Sequence, residues 1–253
     1  MSHPPLSIQL YSLRNLASLG DILDTVKAAG YAHVELIGSH LDHATEVKAQ
    51  LDARGLKVSS AHVGLAALRE RFDNIMQACK LLGFTQLFMP SVPPEERQSP
   101  DPYWTSLGRE LGQMAVRAQS HGIKLGYHNH HWELVVQADG RTALDCLFDG
   151  AGSAPLTWQA DVAWLVRGEA DPVALLEKYK ARVVSVHAKD LAAAGTCLDE
   201  DGWADVGHGV LDWRHRLAAA SVACGAQWFV AEHDKPADPA RFARNSFQFL
   251  NSL

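Results

Sequence analysis

The feature that most constrains the fold is a junction that recurs along the chain. A helical pattern ends in a glycine, and a short apolar run rich in β-branched and aromatic residues follows at once. Glycine just beyond a helix supplies the left-handed backbone that ends it, and the run that follows is too short for a second helix. These junctions, each of which predicts a helix leading directly into a strand, occur at Gly30, Gly55, Gly83, Gly122 and Gly225.

Three further apolar runs complete the series of strands. The first lies near the start of the chain, the second reads PLTWQAD, and the third reads RVVSVHAKD. The third follows a helical segment that opens with Asp171 as a cap and Pro172 at the first helical position. The predicted strands cover residues 6–11, 31–36, 56–62, 84–89, 123–129, 155–161, 182–188 and 226–232.

Regular alternation of strands and helices predicts a parallel sheet, and eight such units in 253 residues match the size of a TIM barrel. We therefore predict an α/β fold, a single (β/α)8 TIM barrel, in one domain that spans residues 1–253. The alternative is a doubly wound open sheet, which usually carries a G-x-G-x-x-G turn after an early strand. The nearest match, GAGSAP at 150–155, precedes a strand, so the barrel is favoured.

Composition narrows the classes of partner. The chain is 47% hydrophobic and 21% charged, as in globular proteins that fold without disulfides or structural metals. A formal charge of −6 disfavours nucleic acid, which is bound mainly by lysine and arginine. The four cysteines are scattered, no secretory leader opens the sequence, and no apolar run approaches the length of a membrane span. We expect a cytoplasmic protein with neither a nucleic-acid nor a membrane partner.

Polar residues follow seven of the eight predicted strands at their carboxyl ends, where the active site of a TIM barrel lies. The fourth strand, which ends in Phe88-Met89-Pro90, is the exception. Charges near a barrel core are costly unless they are paired or metal-bound, so these residues predict one shared site. In chain order they are Gln9, Tyr11, Glu35, His62, His128, Asn129, His130, Asp161, His187, Lys189, Asp190 and Glu232.

The densest polar cluster is GYHNHHWEL at 126–134. With Asp161, His187 and Glu232, its Glu133 would give three carboxylates and one imidazole, a set that favours Mn²⁺ or Mg²⁺ and also accommodates Co²⁺ or Zn²⁺. Such an ion can chelate adjacent hydroxyl and carbonyl oxygens and stabilise the enediolate formed when a base removes the α-proton. The alternative explanations are structural: a hydrogen-bonded rim histidine at His62, and salt bridges at Asp161 and Glu232.

These motifs resemble the xylose isomerase-like TIM-barrel superfamily, the sugar phosphate isomerase/epimerase group, and within it a bacterial branch with a YHNHxxEF-like fifth strand. The resemblance implies a divalent-metal-dependent isomerase or epimerase of a keto-sugar, glycoside or inositol derivative. A lyase or dehydratase on the same site and an endonuclease IV-like nuclease are the alternatives. The matching segments are IQLYSLR at 8–14, YHNHHWEL at 127–134, ADVAWLVRGEADPVALLEKY at 160–179, VHAKD at 186–190, VGHGVLDW at 206–213 and FVAEHD at 229–234.

The resemblance implies four metal ligands, which are Glu133, Asp161, His187 and Glu232. Better-known epimerases of the superfamily have a glutamate at the end of the fifth strand, where this chain has His128, so either Glu133 reaches the metal or His128 replaces it. By the same analogy Glu133 and Glu232 form the catalytic pair, with His128 as the candidate second base.

The resemblance also implies the partners of the site. One divalent ion is expected, with Mn²⁺ first, together with a small sugar substrate, and barrels of this size commonly form homodimers. Residues expected to bind the substrate are Gln9, Tyr11, Glu35, His62, His130, Trp164, Lys189 and His208.

Overall fold

The computed structural model describes residues 3–253 and contains a closed barrel of eight parallel strands, so the predicted single (β/α)8 barrel is confirmed. The strands follow one another around the barrel in chain order, and the last pairs with the first. A separate two-stranded antiparallel sheet, β8 with β9, follows β7 and was not predicted. The strands are β1 (Leu6–Gln9), β2 (His33–Ile37), β3 (Lys57–His62), β4 (Gln86–Met89), β5 (Lys124–His128), β6 (Thr157–Asp161), β7 (Val183–Ala188), β8 (Asp190–Leu191), β9 (Trp203–Ala204) and β10 (Phe229–Ala231).

Helices alternate with the barrel strands. They are α1 (Leu19–Ala29), α2 (Gly38–Leu41), α3 (Ala44–Arg54), α4 (Leu65–Leu82), α5 (Asp101–Ser120), α6 (Ala143–Ala151), α7 (Val162–Arg167), α8 (Pro172–Lys178), α9 (Ala218–Ala223) and α10 (Pro239–Leu250). Short 3-10 turns lie at Leu10–Leu13, Pro94–Glu96, Trp132–Leu134 and Leu198–Glu200, and a π-helical turn at Trp213–Leu217 precedes α9. Among the described helices, none has both the length and the apolar character needed to cross a membrane.

The helices begin and end at the capping residues and glycines that the sequence indicates. All five junction glycines have positive φ, from 65° at Gly55 to 109° at Gly30. At Gly30 a Cβ atom would also lie 2.5 Å from the Phe247 ring, so both backbone and packing require glycine there. Asp171 caps α8 by accepting a hydrogen bond from the backbone N–H of Val173.

The barrel interior changes from apolar to polar towards the carboxyl ends of its strands. Ile8, Val34 and Ala61 are fully buried in the hydrophobic core. Further along the same three neighbouring strands, Gln9 and His62 both contact Glu35: Gln9 Nε2 donates to Glu35 Oε1 at 2.8 Å, and His62 Nε2 lies 3.2 Å from the same oxygen. Because buried polar groups need hydrogen-bond partners, these contacts hold the three side chains in place below the mouth of the barrel.

Candidate metal centre and active site

Four side chains converge at the carboxyl ends of neighbouring barrel strands: His128, Asp161, His187 and Glu232. One potential ligand atom from each lies within 4.8 Å of all the others, and all four side chains are buried. His187 Nδ1 lies 2.9 Å from Glu232 Oε2 and 3.9 Å from Asp161 Oδ2. Asp161 Oδ2 is buried without a hydrogen-bond partner among the described residues. An unpartnered buried carboxylate oxygen is unfavourable, so this set of nitrogen and oxygen donors fits a divalent cation.

The orientation of Asp161 follows from its place between β6 and α7. Its Oδ1 accepts a hydrogen bond of 2.9 Å from the N–H of Trp164 and so caps α7. Its own N–H donates to Asn129 Oδ1 at 3.0 Å, and Trp158 Nε1 donates to the same oxygen at 3.0 Å. Burial raises the pKa of Asp161 to about 7, so a cation near Oδ2 would favour the ionised form.

Glu35 lies next to His187 and determines which of its ring nitrogens faces the group. Burial alone would raise the pKa of Glu35, but His62 and His187 lower it to about 2, so the carboxylate is ionised. An ionised carboxylate only accepts hydrogen bonds, so His187 Nε2, at 2.6 Å, must donate to it. The nitrogen that faces Asp161 and Glu232 is therefore Nδ1. Burial alone would lower the pKa of His187, but Glu232 and Glu35 raise it to about 10, so a metal ion would displace the Nδ1 proton.

Gln159 extends the same control to His128. Its amide N–H donates to Glu35 Oε2 at 2.7 Å, so its Oε1 must be the acceptor for His128 Nδ1 at 3.0 Å and for His62 Nε2 at 2.6 Å. His128 then carries its proton on Nδ1 and keeps the lone pair on Nε2. Burial lowers the pKa of His128 well below its usual value, and neutral imidazole is the form that binds metals.

Glu133 does not join this group, contrary to the first of the two expectations for the fifth strand. It lies in the 3-10 turn Trp132–Leu134, and its carboxylate accepts hydrogen bonds from the Tyr127 hydroxyl at 2.6 Å and the His130 N–H at 2.8 Å. Adjacent residues of a strand point to opposite faces, so a carboxylate bonded to Tyr127 lies behind β5 while His128 points into the barrel. Burial raises the pKa of Glu133 to about 7.

Two of the four converging side chains, His128 and Glu232, line an open cleft of about 580 Å³. Of the residues expected to bind substrate, Tyr11, His62, His130 and Trp164 line it. Gln9 and Glu35 are fully buried, and Gln9 Nε2 donates to Glu35 Oε1 at 2.8 Å, so these two support the site from below. His208 is exposed outside the lining, in a turn where its N–H donates to the carbonyl of Asp205. Another cleft, of about 540 Å³, is lined by residues such as Lys124 and Arg182 but by no histidine or acid among the described residues.

Lys189 is fully buried and neutralises a group of carboxylates. Its Nζ lies 2.6 Å from Asp234 Oδ2, 3.2 Å from Glu232 Oε2 and 3.6 Å from Asp161 Oδ2. Burial alone would lower its pKa, but these acids raise it, so the ammonium stays charged. Asp234 is not among the site residues expected from the sequence, although it ends the eighth-strand motif FVAEHD. Arg97 is not among them either; it lines the cleft from the loop after β4, the strand without a polar residue at its end.

Comparison with known proteins agrees with this architecture. Residues 23–253 match the family model described as a xylose isomerase-like TIM barrel. The chain belongs to the xylose isomerase-like TIM barrel family. The chain is similar in sequence to the inosose dehydratase of Geobacillus kaustophilus. The two are 26% identical over 204 residues, which cover 70% of this chain and 65% of the relative. The matched region thus spans slightly less than two thirds of that relative's length.

Solved structures of other proteins share the fold over almost the whole chain. A sugar phosphate isomerase/epimerase from Parabacteroides distasonis has a TM-score of 0.79 at 19% identity, over 100% of this chain and 95% of that one. A xylose isomerase-like protein from Mycobacterium smegmatis, solved in complex with magnesium, has a TM-score of 0.70 at 14% identity, over 99% and 96% of the two chains. At such identities the likeness establishes the barrel, and the resemblance seen in the sequence motifs is confirmed at the level of the family.

Proposed function

We propose that this chain is a divalent-metal-dependent enzyme that removes the proton next to a carbonyl group of a sugar-like substrate and so isomerises or epimerises it. The observation that carries the proposal is the buried group of His128, Asp161, His187 and Glu232, of which His128 and Glu232 line an open cleft. The likeness to a protein described as a sugar phosphate isomerase/epimerase supports the same chemistry.

The metal would be held by His128, Asp161, His187 and Glu232. When bound, it would act as a Lewis acid on the substrate oxygens and offset the negative charge that develops as the proton leaves. Two imidazoles and two carboxylates form a mixed donor set, with one nitrogen more than the set expected with Glu133. Mn²⁺ suits both donor types and is the ion we propose, with Co²⁺ and Zn²⁺ compatible and Mg²⁺ less favoured.

Glu232 is the proposed base. Both of its hydrogen bonds, from His187 Nδ1 and Lys189 Nζ, go to Oε2, which leaves Oε1 without a hydrogen bond among the described residues, and Glu232 lines the cleft. Burial alone would raise its pKa, but Lys189 and His187 hold it well below the usual range, so the carboxylate is ionised, as a general base must be. His130, on the cleft wall and neutral because burial lowers its pKa, is the proposed second proton carrier. His128 would be occupied as a ligand, and Glu133 lies behind the strand.

The test is exchange of a substrate proton with D₂O, followed by NMR, on a panel of ketoses, keto-glycosides and inososes. Exchange is expected with the Mn²⁺-loaded protein, and its loss on chelation. Glu232→Gln should abolish exchange even when metal analysis shows the ion retained, whereas Glu133→Gln, which changes an equally buried carboxylate, should keep at least about a tenth of the rate. An active Glu232→Gln variant, or no exchange on the whole panel, would refute the proposal.

A dehydratase is the second candidate, and the relative named inosose dehydratase favours it. Dehydration begins with the same proton removal, but a hydroxyl group on the neighbouring carbon then leaves. Proton exchange with recovery of a substrate isomer supports the isomerase or epimerase. A product lighter by one water molecule, seen by mass spectrometry, supports the dehydratase.

A further inference from the structure

Arg97 lies on the wall of the cleft, in the loop between β4 and α5. The carbon atom of its guanidinium group is 3.9 Å from the centre of the Trp132 ring. Trp132 in turn stacks on His130, with ring centres 4.1 Å apart and planes only 13° from parallel. This cation–π contact holds the guanidinium group against the aromatic wall, and its N–H groups remain available to another molecule.

Arg97 also differs from the charged residues around it, because those already have partners. Among the acids that line the cleft, Asp201 pairs with Arg167 at 3.1 Å, Asp234 with Lys189 at 2.6 Å and Glu232 with Lys189 at 3.2 Å. Within residues 3–253, no carboxylate lies within the 4.0 Å ion-pair distance of Arg97, and its buried Nε has no hydrogen-bond acceptor. Arg69, on α4, shows the contrast, since it donates hydrogen bonds to both carboxylate oxygens of Glu110.

A buried donor without an acceptor is unfavourable, and an unpaired guanidinium edge matches the two oxygens of a carboxylate or phosphate. We propose that Arg97 anchors a subsite for an oxyanion substituent of the substrate, which makes the substrate a sugar or cyclitol derivative that carries a carboxylate or phosphate group. This inference rests on the proposed function: the reacting carbons would lie over His128, Asp161, His187 and Glu232, and the oxyanion would lie against Arg97.

Three matched probes test the subsite by calorimetry without turnover: D-glucose, D-glucuronate and D-glucose 6-phosphate, each with the Mn²⁺-loaded and the metal-free protein. We expect at least one anionic probe to bind wild type at least about tenfold more tightly than glucose, and the tighter of the two identifies the group as carboxylate or phosphate. Arg97→Gln should remove this preference. Arg97→Lys should keep part of it, because lysine retains the charge but not the planar fork.

Arg69→Gln, which changes a cation on the outer helices, is the matched control and should bind all three probes as wild type does. Circular dichroism and Tm verify that Arg97→Gln is folded. Failure of both anions to bind wild type more tightly than glucose, or a preference that survives in Arg97→Gln, overturns the inference. If proton exchange fails while an Arg97-dependent preference for the anion remains, the proposed reaction is wrong and the subsite stands. If proton exchange occurs without that preference, the proposed reaction stands and the subsite is wrong.

Discussion

One carboxylate, that of Glu35, determines which ring nitrogen is left to bind the metal in both imidazoles of the proposed group. It acts on His187 directly, by accepting a hydrogen bond of 2.6 Å from His187 Nε2. It acts on His128 indirectly, by accepting a hydrogen bond of 2.7 Å from the side-chain amide of Gln159. Such supporting groups typically change metal affinity by about 10–100-fold when they are removed. We therefore predict that Glu35→Gln weakens Mn²⁺ binding by roughly that factor, measured by competition with a fluorescent chelator.

The matched control for Glu35 is Glu133→Gln, which alters another fully buried carboxylate on the far side of β5. It should leave Mn²⁺ affinity within about threefold of wild type. A purely structural role for Glu35 would lower the Tm without changing the Mn²⁺ affinity of the folded protein. Nitrogen-15 NMR of His187 gives an independent measurement, because Glu35→Gln should alter which ring nitrogen carries the proton, and an unaltered spectrum with unaltered affinity contradicts the prediction.

At the scale of elements, β5 and the 3-10 turn after it are joined by the buried carboxylate of Glu133. Its pKa is about 7 in the folded protein because of burial, against 4.5 for an ordinary glutamate. Below about pH 4.5 the group is protonated in both the folded and the unfolded chain, and no penalty exists. As the pH rises to about 7 the unfolded chain loses this proton more readily, so this group costs the folded state up to about 3 kcal/mol.

Glu133→Gln removes that titration. We predict that the free energy of unfolding of wild type, relative to the variant, falls as the pH rises from about 5 to about 8, by up to about 3 kcal/mol. Urea denaturation of both proteins at several pH values measures the difference between their free energies of unfolding. The contributions of the other titrating groups cancel in this difference. Parallel stability curves across this range would show that burial does not raise the pKa of Glu133.

Sequence patterns predicted the barrel elements well because each depends on local chemistry. Glycines such as Gly30 and the Asp171 cap mark helix ends within the few residues that form them. The sheet of β8 and β9 escaped prediction because its strands are only two residues each. The site was harder. Spacing along β5 does not reveal that the turn at Trp132–Leu134 directs Glu133 towards Tyr127, and Arg97 reaches the cleft from a loop with no periodic pattern.

At the scale of the whole molecule, the proposed metal group joins four strands that are adjacent in the barrel. His128, Asp161, His187 and Glu232 come from β5, β6, β7 and the end of β10, which are neighbours in that order. The hydrophobic core runs through the entire barrel, from Leu6 to Leu250, and Lys189 neutralises carboxylates of the group. The barrel can therefore fold without the ion, and binding adds stability to a structure that already exists.

We predict that Mn²⁺ at about a hundred times its dissociation constant stabilises the protein by about 2.7 kcal/mol, which corresponds to a rise in Tm of roughly 5–10 °C for a domain of this size. Calorimetry of the chelator-treated and reloaded protein measures the shift. His128→Ala removes the β5 ligand and should lose most of it, whereas Glu133→Gln should keep it, since Glu133 bonds Tyr127 instead. The reverse pattern would return the fifth-strand ligand to Glu133 and would require the loop at 129–134 to rearrange, because the Tyr127 and His130 hydrogen bonds would have to break.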